Sequence, residues 1–284
     1  MFFPRSKKES EPNITRKLEP SNSKGSNKIR IIPSTYQHIG ARKQQEDAFT
    51  LSDFSDSKLI EESGLLAVVA DGMGGLDCGE DASRVAVRVF FREYFRNDVE
   101  KTIPEKLSQA LESSNTAVFD LAYQDGMELD VGTTLVAVTI HNHFMYWVSV
   151  GDSRIYHYRK KILTQLTKEH IYRNKLMDDV QKELITIEEA EKHPEGAYLT
   201  SYLGLPSLPE IDLSSEPLLL EAGDRVLLCS DGLSSTLSEQ EIELLLTEAE
   251  NISSEELVKI ALKKQMKYQD NITAVLLSCD RLTQ

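Results

Sequence analysis

A chain of 284 residues with 40% hydrophobic content can build one large domain with a real core, or two small ones. Its formal net charge of −14 excludes nucleic acid and anionic membrane surfaces as natural partners. Three cysteines, Cys78, Cys229 and Cys279, show neither metal spacing nor a disulfide framework and fit a reducing cytosol, and no run approaches the ~20 apolar residues of a membrane helix.

Met1-Phe2-Phe3 runs straight into Pro4, Arg5, Lys7 and Lys8, so no signal-peptide apolar region is expected. Seven Lys/Arg against three Glu give residues 1–28 a charge of +4 and leave −18 on the remainder. Without an apolar period this stretch cannot offset its chain entropy, and a disordered basic tail is expected. It is either a loose terminus or an arm that docks a partner or the acidic body.

One ordered domain is expected over 29–284. Alternation or apolar runs predict strands at Ile29–Ile32, Tyr36–Ile39, Asp47–Leu51 and Leu65–Asp71. Asp77–Phe95 is amphipathic, with Ala82, Val85, Ala86, Val89 and Phe90 on one stripe. Pro104 opens a second helix to Tyr123. Strands follow at Thr133–Ile140, Phe144–Val150 and Arg154–Arg159, joined by tight turns at 141–143 and Gly151-Asp152-Ser153. Lys168–Met177 and Thr186–Lys192 are short helices in a charged insertion, about 168–200. Arg225–Ser230 is a strand, Glu239–Leu246 and Ser253–Lys264 are helices, and Asn271–Leu277 is the last strand. The grouped order suits helix layers outside packed antiparallel sheets rather than alternating βαβ units.

Four acidic stretches flank these strands: Gln45-Glu46-Asp47, Val69-Ala70-Asp71-Gly72-Met73-Gly74-Gly75, Cys229-Ser230-Asp231-Gly232 and Asp270-Asn271-Ile272-Thr273. An Asp-Gly after one strand is an ordinary turn. Four acids brought together from distant parts of one chain would repel each other without a cation. Carboxylates are hard oxygen ligands, suited to Mg²⁺ or Mn²⁺, and two such ions about 3.5–4 Å apart make a phosphoester-cleaving centre. Gly72 lets a backbone carbonyl approach an ion.

Nine markers in order carry a resemblance: Arg42 with Glu46-Asp47, the run Val69–Gly75, Gly132-Thr133-Thr134, Val150–Arg154, Leu166 to His170, Ile185 to Pro194, Leu203-Gly204, Leu228 to Leu233, and Asp270-Asn271. Together they resemble the metal-dependent Ser/Thr protein phosphatases of the PP2C (PPM) family in their bacterial single-domain form, from about Ile31 to Cys279. The resemblance implies an α+β fold, a four-layer α/β/β/α sandwich with two central antiparallel sheets flanked by helices. It implies that Asp71 bridges two ions with Gly72 offering its carbonyl, that Asp231 and Asp270 complete one ion, and that Glu46 serves the other directly or through water. Asp47 would orient water, and Arg42 would grip the substrate phosphate in a bidentate fork.

The implied reaction is direct hydrolysis of phosphoserine and phosphothreonine in proteins, with Mn²⁺ or Mg²⁺ as cofactor and no covalent phosphoenzyme. It implies a cytoplasmic monomer acting on phosphoproteins made by a Ser/Thr kinase, with no nucleic acid and no membrane partner. Three details qualify the match. Met73 stands where animal relatives carry a histidine proposed as general acid. Gln45 replaces the common Asn, and Glu169-His170-Ile171 replaces Asp-His-Ser. Asp130, two residues before Gly132, matches an acid that bacterial members use for a weaker third ion; the alternative is a plain polar loop. The insertion 168–200 resembles the family's flap beside the site. Asp152-Ser153 reads as a turn without catalytic part. A pseudophosphatase that scaffolds phosphoproteins, or an anti-sigma-pathway phosphatase, are the competing readings. Intact Glu46, Asp71, Asp231 and Asp270 argue against the first. The lack of room for a sensor segment argues against the second.

Overall fold

A strand in which every residue is apolar needs cover on both faces. The chain supplies it by stacking two sheets between two helix layers. The computed structural model describes residues 29–74, 78–96, 100–123, 131–249 and 251–282. The expected tail and Asp130 lie outside the described residues.

In chain order the elements are β1 (Ile29–His38), β2 (Asp47–Leu51), α1 (Ser57–Ser63), β3 (Leu65–Gly74), α2 (Cys78–Tyr94), α3 (Ile103–Ala122), β4 (Val131–Thr133), β5 (Leu135–His141), β6 (Phe144–Val150), β7 (Arg154–Arg159) and β8 (Ile162–Gln165). They continue as α4 (Tyr172–Gln181), α5 (Ile187–Glu191), β9 (Asp212–Leu213), β10 (Leu218–Leu219), β11 (Arg225–Cys229), α6 (Asp231–Ser234), α7 (Glu239–Glu248), α8 (Ser254–Leu262) and β12 (Ile272–Arg281). A five-stranded sheet runs β1-β12-β11-β7-β8 and a seven-stranded sheet runs β10-β6-β5-β3-β2, with β4 on β3 and β9 on β6. The pairings are antiparallel throughout.

Strand alternation sorts the core into three layers. On β3, Leu65, Ala67 and Val69 face the other sheet, where Val226 and Leu228 of β11 and Val275 and Leu277 of β12 meet them. Leu66, Val68 and Ala70 face outward onto Ala82, Ala86 and Phe90 of α2 and Leu107 and Leu111 of α3. Leu227 and Cys229 of β11 face outward onto Ile242 and Leu246 of α7 and Leu257, Val258 and Ala261 of α8. The two sheets and their covering helices make the four-layer α+β sandwich.

The helix boundaries follow from local chemistry. Thr102, Ser238 and Ser253 each cap a helix while a glutamate three residues later reaches back to the cap's N–H.

Three expectations need correction. Ile29–Ile32 and Tyr36–Ile39 are one strand: β1 is an edge strand, where Pro33 opposite Leu277 costs no ladder donor in the sheet interior. Thr133–Ile140 breaks at Thr134, whose backbone turns from β4 into β5. The first insertion helix begins four residues late, at Tyr172, because His170 and Ile171 are held extended by Thr200 and Leu199. The short helices α1 and α6 and the strands β8, β9 and β10 carried no periodic signal. Among the described residues no helix is long and apolar enough to cross a membrane.

Candidate active site

The two sheets bring the separated acids to one end of the sandwich. Asp47 opens β2 directly opposite Asp71 of β3 in the seven-stranded sheet. Asp231 follows β11, and Asp270 precedes β12, in the five-stranded sheet. A cleft of about 250 Å³ between them is lined by Arg42, Glu46, Asp71, Gly72, Met73, Thr134, Asp152, Leu199, Asp231 and Asp270. Every expected site residue among the described ones therefore lines this cleft or, for Asp47, stands in contact range behind Asp71. Asp130 lies outside them.

Asp71, through its backbone, and Asp47, through one carboxylate oxygen, are fixed by neighbours that are not themselves acids. The Asp71 N–H donates to Thr134 Oγ1 at 3.0 Å, while its carbonyl accepts from the Thr134 N–H at 2.9 Å and from Thr133 Oγ1 at 2.8 Å. The Gly72 N–H donates to the Glu46 carbonyl at 3.1 Å. A Cβ at Gly72 would collide with the Gly79 carbonyl at the start of α2, so only glycine lets the strand end pass there. Asp47 Oδ2 accepts from Ser230 Oγ and Thr273 Oγ1, both at 2.7 Å, a bond pair that joins the two sheets.

Asn271 organises the loop that carries Arg42. Its Oδ1 accepts from the Glu46 N–H at 2.7 Å, and its Nδ2 donates to the carbonyls of Ile39 at 2.8 Å and Gln44 at 3.0 Å. Arg42 Nη2 donates to Asp270 Oδ2 at 2.5 Å, with the Arg42 side chain 52% exposed.

Crowding shifts the acids as elementary electrostatics requires. Burial, then repulsion from Asp47, Asp231, Asp152 and Asp270, holds Asp71 well above the usual carboxylate range. Burial pushes Asp47 up to about 6 against the opposing pull of its Thr273 and Ser230 bonds. Burial, then the Asp231 and Glu169 charges, pushes Asp152 up to about 7. Asp231 is raised by burial and by Asp270.

The donor set fits a divalent cation. Glu46, Asp71, Asp231 and Asp270 offer hard carboxylate oxygens, and the buried Asp47 Oδ1 meets no donor. Its neighbour across the strand pair, Asp71, is another carboxylate and can donate only when protonated. Among the described residues no three such side chains already close on a single point as a cage. They ring the cleft instead, the arrangement that mutual repulsion favours.

A family model described as protein phosphatase 2C matches residues 36–267, most of the chain. The chain belongs to the protein phosphatase 2C family. The serine/threonine phosphatase stp of Listeria monocytogenes is 33% identical over 223 residues, which span 77% of this chain and 86% of that protein. The serine/threonine phosphatase of S. agalactiae shares the fold with a TM-score of 0.74 at 29% identity, over 87% of this chain and 99% of that one. The catalytic domain of the serine/threonine phosphatase PstP, solved in complex with two manganese ions, has a TM-score of 0.67 at 28% identity, over 89% of this chain and 100% of that one.

Within this protein phosphatase 2C fold, sequence reasoning missed two contributors. Asp152 reads as a turn residue in the sequence; the turn is real, but Asp152 also lines the cleft. The available signal was its position directly after an apolar strand, the same device as Asp71 and Asp231. Thr134 was only part of a motif, and its hydroxyl positions Asp71.

Proposed function

We propose that this chain hydrolyses phosphoserine and phosphothreonine in proteins at a dinuclear Mn²⁺ or Mg²⁺ centre. The observation that carries the reading is the convergence of Glu46, Asp71, Asp231 and Asp270 with Arg42 around one cleft, in a chain of the protein phosphatase 2C family.

On this reading Asp71 and the Gly72 carbonyl would hold the two ions, with Asp231 and Asp270 as further ligands of one and Glu46, directly or through water, of the other. When bound, the ions supply the Lewis acidity that makes water a nucleophile near neutral pH and offset the phosphate charge. Arg42 turns its planar fork from Asp270 to two phosphate oxygens. Asp47, fastened on Oδ2 by Ser230 and Thr273, keeps Oδ1 to accept a proton from water. Met73 lines the cleft but carries no transferable proton, so the leaving seryl or threonyl oxygen takes its proton from solvent. Asp130 is assigned to a weaker third ion.

We take 29–284 as one catalytic unit in which residues 168–200 form a flap; Leu199 at the cleft wall supports this. The substrates are phosphoproteins made by a Ser/Thr kinase, and the enzyme works as a cytoplasmic monomer. The free cysteines Cys78, Cys229 and Cys279 are compatible with a reducing compartment. A scaffold without turnover has no use for four converging carboxylates. Hydrolysis of a phosphothreonine peptide with Mn²⁺, abolished by EDTA, is the expected result. Equal release of phosphate in EDTA would sink the assignment.

A further inference from the structure

An acidic body carries a basic lip beside its cleft, and the meaning of that lip rests on the reading of the cleft as a phosphatase site. The chain has 46 Asp and Glu against 32 Lys and Arg. Two segments that meet at Asp270, 39–45 and 263–269, nevertheless hold no acid; the first brings Arg42 and Lys43, the second Lys263, Lys264 and Lys267. Lys264 is engaged by Glu241 of α7 at 2.6 Å. Among the described residues no carboxylate stands within ion-pair distance of Lys43, Lys263 or Lys267. Their charge is therefore left to act on whatever approaches the cleft.

The lip has a fixed place. The Ala41 N–H donates to the Gln269 carbonyl at 2.8 Å, which joins the two segments. Gly40, at φ 65°, packs so closely on the Gln269 and Asp270 carbonyls that no side chain fits there. Beneath them the buried Gln269 Nε2 donates to the Gly232 carbonyl at 3.2 Å, and its Oε1 accepts from Thr236 Oγ1 at 3.2 Å. The Lys264 ion pair fastens the other end of the segment to α7.

Between these anchors stand two large apolar side chains in solvent. Met266 is 50% exposed and Tyr268 82%, the highest value for a large hydrophobic among the described residues. The Lys267 ammonium lies 4.8 Å from the Tyr268 ring centroid. An aromatic anchor held on a rigid loop and surrounded by unpaired cations is the anatomy of a recognition surface. Tyr268 is two residues from Asp270, and Asp270 is bound to Arg42. The surface therefore begins within about four residues' length of the proposed phosphate grip, along an extended peptide.

Charge decides the occupant. The chain's own segment 1–28, with seven Lys/Arg against three Glu, would be repelled. A polypeptide with carboxylates and an apolar side chain next to its phosphoresidue matches both halves of the lip. We propose that Lys43, Lys263, Met266, Lys267 and Tyr268 dock the substrate beside its phosphoresidue and select phosphosites flanked by acidic and apolar residues.

The test compares three phosphothreonine peptides at saturating Mn²⁺ and low salt: one flanked by glutamates and a leucine, one by alanines, one by lysines. A wild-type chain that hydrolyses none of them would overturn the phosphatase reading and this inference with it. If the alanine peptide is turned over, kcat/KM is expected to be about threefold to thirtyfold higher for the glutamate–leucine peptide and lower for the lysine peptide, because exposed ion pairs are individually weak. The advantage is expected to shrink at high ionic strength. Equal kcat/KM for the three peptides would overturn the inference while leaving the phosphatase reading intact, and this wild-type comparison decides even where a variant fails to fold. Lys263→Glu/Lys267→Glu is expected to reverse the order of the peptides, and Tyr268→Ala to raise KM for the glutamate–leucine peptide at unchanged kcat. Both variants are expected to keep wild-type turnover of an aryl phosphate, which is too small to reach the lip; loss of that turnover in step with peptide turnover would mark a merely structural role and overturn the inference. Binding to phosphatidylserine vesicles that the double variant loses, without any preference among the peptides, would assign the lip to a membrane and overturn it as well.

Discussion

Arg42 Nη2 and Asp270 Oδ2 lie 2.5 Å apart, so the proposed phosphate grip and a proposed cation ligand hold each other. The hydrogen bond to Asp270 comes first among the causes that raise the Arg42 pKa. The pair is exposed on the arginine side, and on the proposed reading Asp270 would be shared between a cation and Arg42, so that binding at Asp270 would free Arg42 for phosphate. Arg42→Ala is therefore expected to act twice. It lowers kcat/KM for a phosphopeptide by about one to two powers of ten, since one charge-assisted fork is worth about 1.5–3 kcal/mol. It also tightens Mn²⁺ binding, because Asp270 loses its rival. Lysine rescues poorly for want of the planar fork. An unchanged kcat/KM would remove Arg42 from the phosphate site.

Asp71→Asn and Asp231→Asn test the carboxylate ring. Turnover is expected to fall more than about a hundredfold, beyond what loss of a supporting residue costs. Stability in EDTA is expected to hold or rise, because Asp71 is already held well above the usual carboxylate range by burial and by its acidic neighbours. A thermal melt and a rate at saturating Mn²⁺ suffice. Near wild-type turnover in either variant would refute the metal assignment.

The same crowding sets a pH dependence. Asp47 sits at about 6 and Asp152 at about 7 in the folded chain, against about 3.9 for an ordinary aspartate. Folded-state values above unfolded ones mean that the folded chain binds more protons between about pH 4 and 7, so its stability falls as pH rises through that window. In EDTA the melting temperature is expected to be higher near pH 5.5 than near 7.5. Mn²⁺ is expected to reverse the order, since it binds the deprotonated acids. A flat profile in EDTA would show that the acids are not coupled to folding.

Gly232→Ala probes the seam behind Asp231. The added Cβ would run into the Asn271 carbonyl, and Asn271 holds the Ile39–Glu46 loop. A cost of about 1–3 kcal/mol in urea unfolding is expected. Activity should fall further than stability alone explains, because Arg42 and Glu46 move with the loop. Full activity in the variant would show that the loop tolerates a shifted Asn271.

The sandwich was legible where one physical signal dominated. Leu65–Ala70, Arg225–Cys229 and the stripe of α2 follow from apolar runs and 3.6-residue spacing. That Arg42, Glu46, Asp71, Gly72, Asp231 and Asp270 would share one cleft was legible because motifs in order outweighed the bland readings: a turn for the Asp-Gly pairs, a solvated acid for Glu46 and a surface arginine for Arg42. What was not legible depends on long-range pairing. The two residues of β9 and of β10 are strands only because β6 lies beside them. Asp152 reads as a turn until β6 is seen to deliver it beside Asp71. The roles of Ser230 and Thr273 need the two sheets in place before their hydroxyls can meet Asp47.

The Asp47–Ser230–Thr273 junction has a mechanical consequence. One carboxylate oxygen fastens the rim of the seven-stranded sheet to two strands of the five-stranded sheet, directly beneath the cleft. The ligands proposed for one ion, Asp71 with Asp231 and Asp270, come from both rims, so their spacing is the spacing of the sheets. A substitution in the buried layer between the sheets, such as Val69→Ala or Leu228→Ala, then acts as a tuning screw on a remote instrument. Repacking that layer changes how far apart the rims stand, and cation affinity becomes a gauge of core packing at positions that no ion or substrate touches.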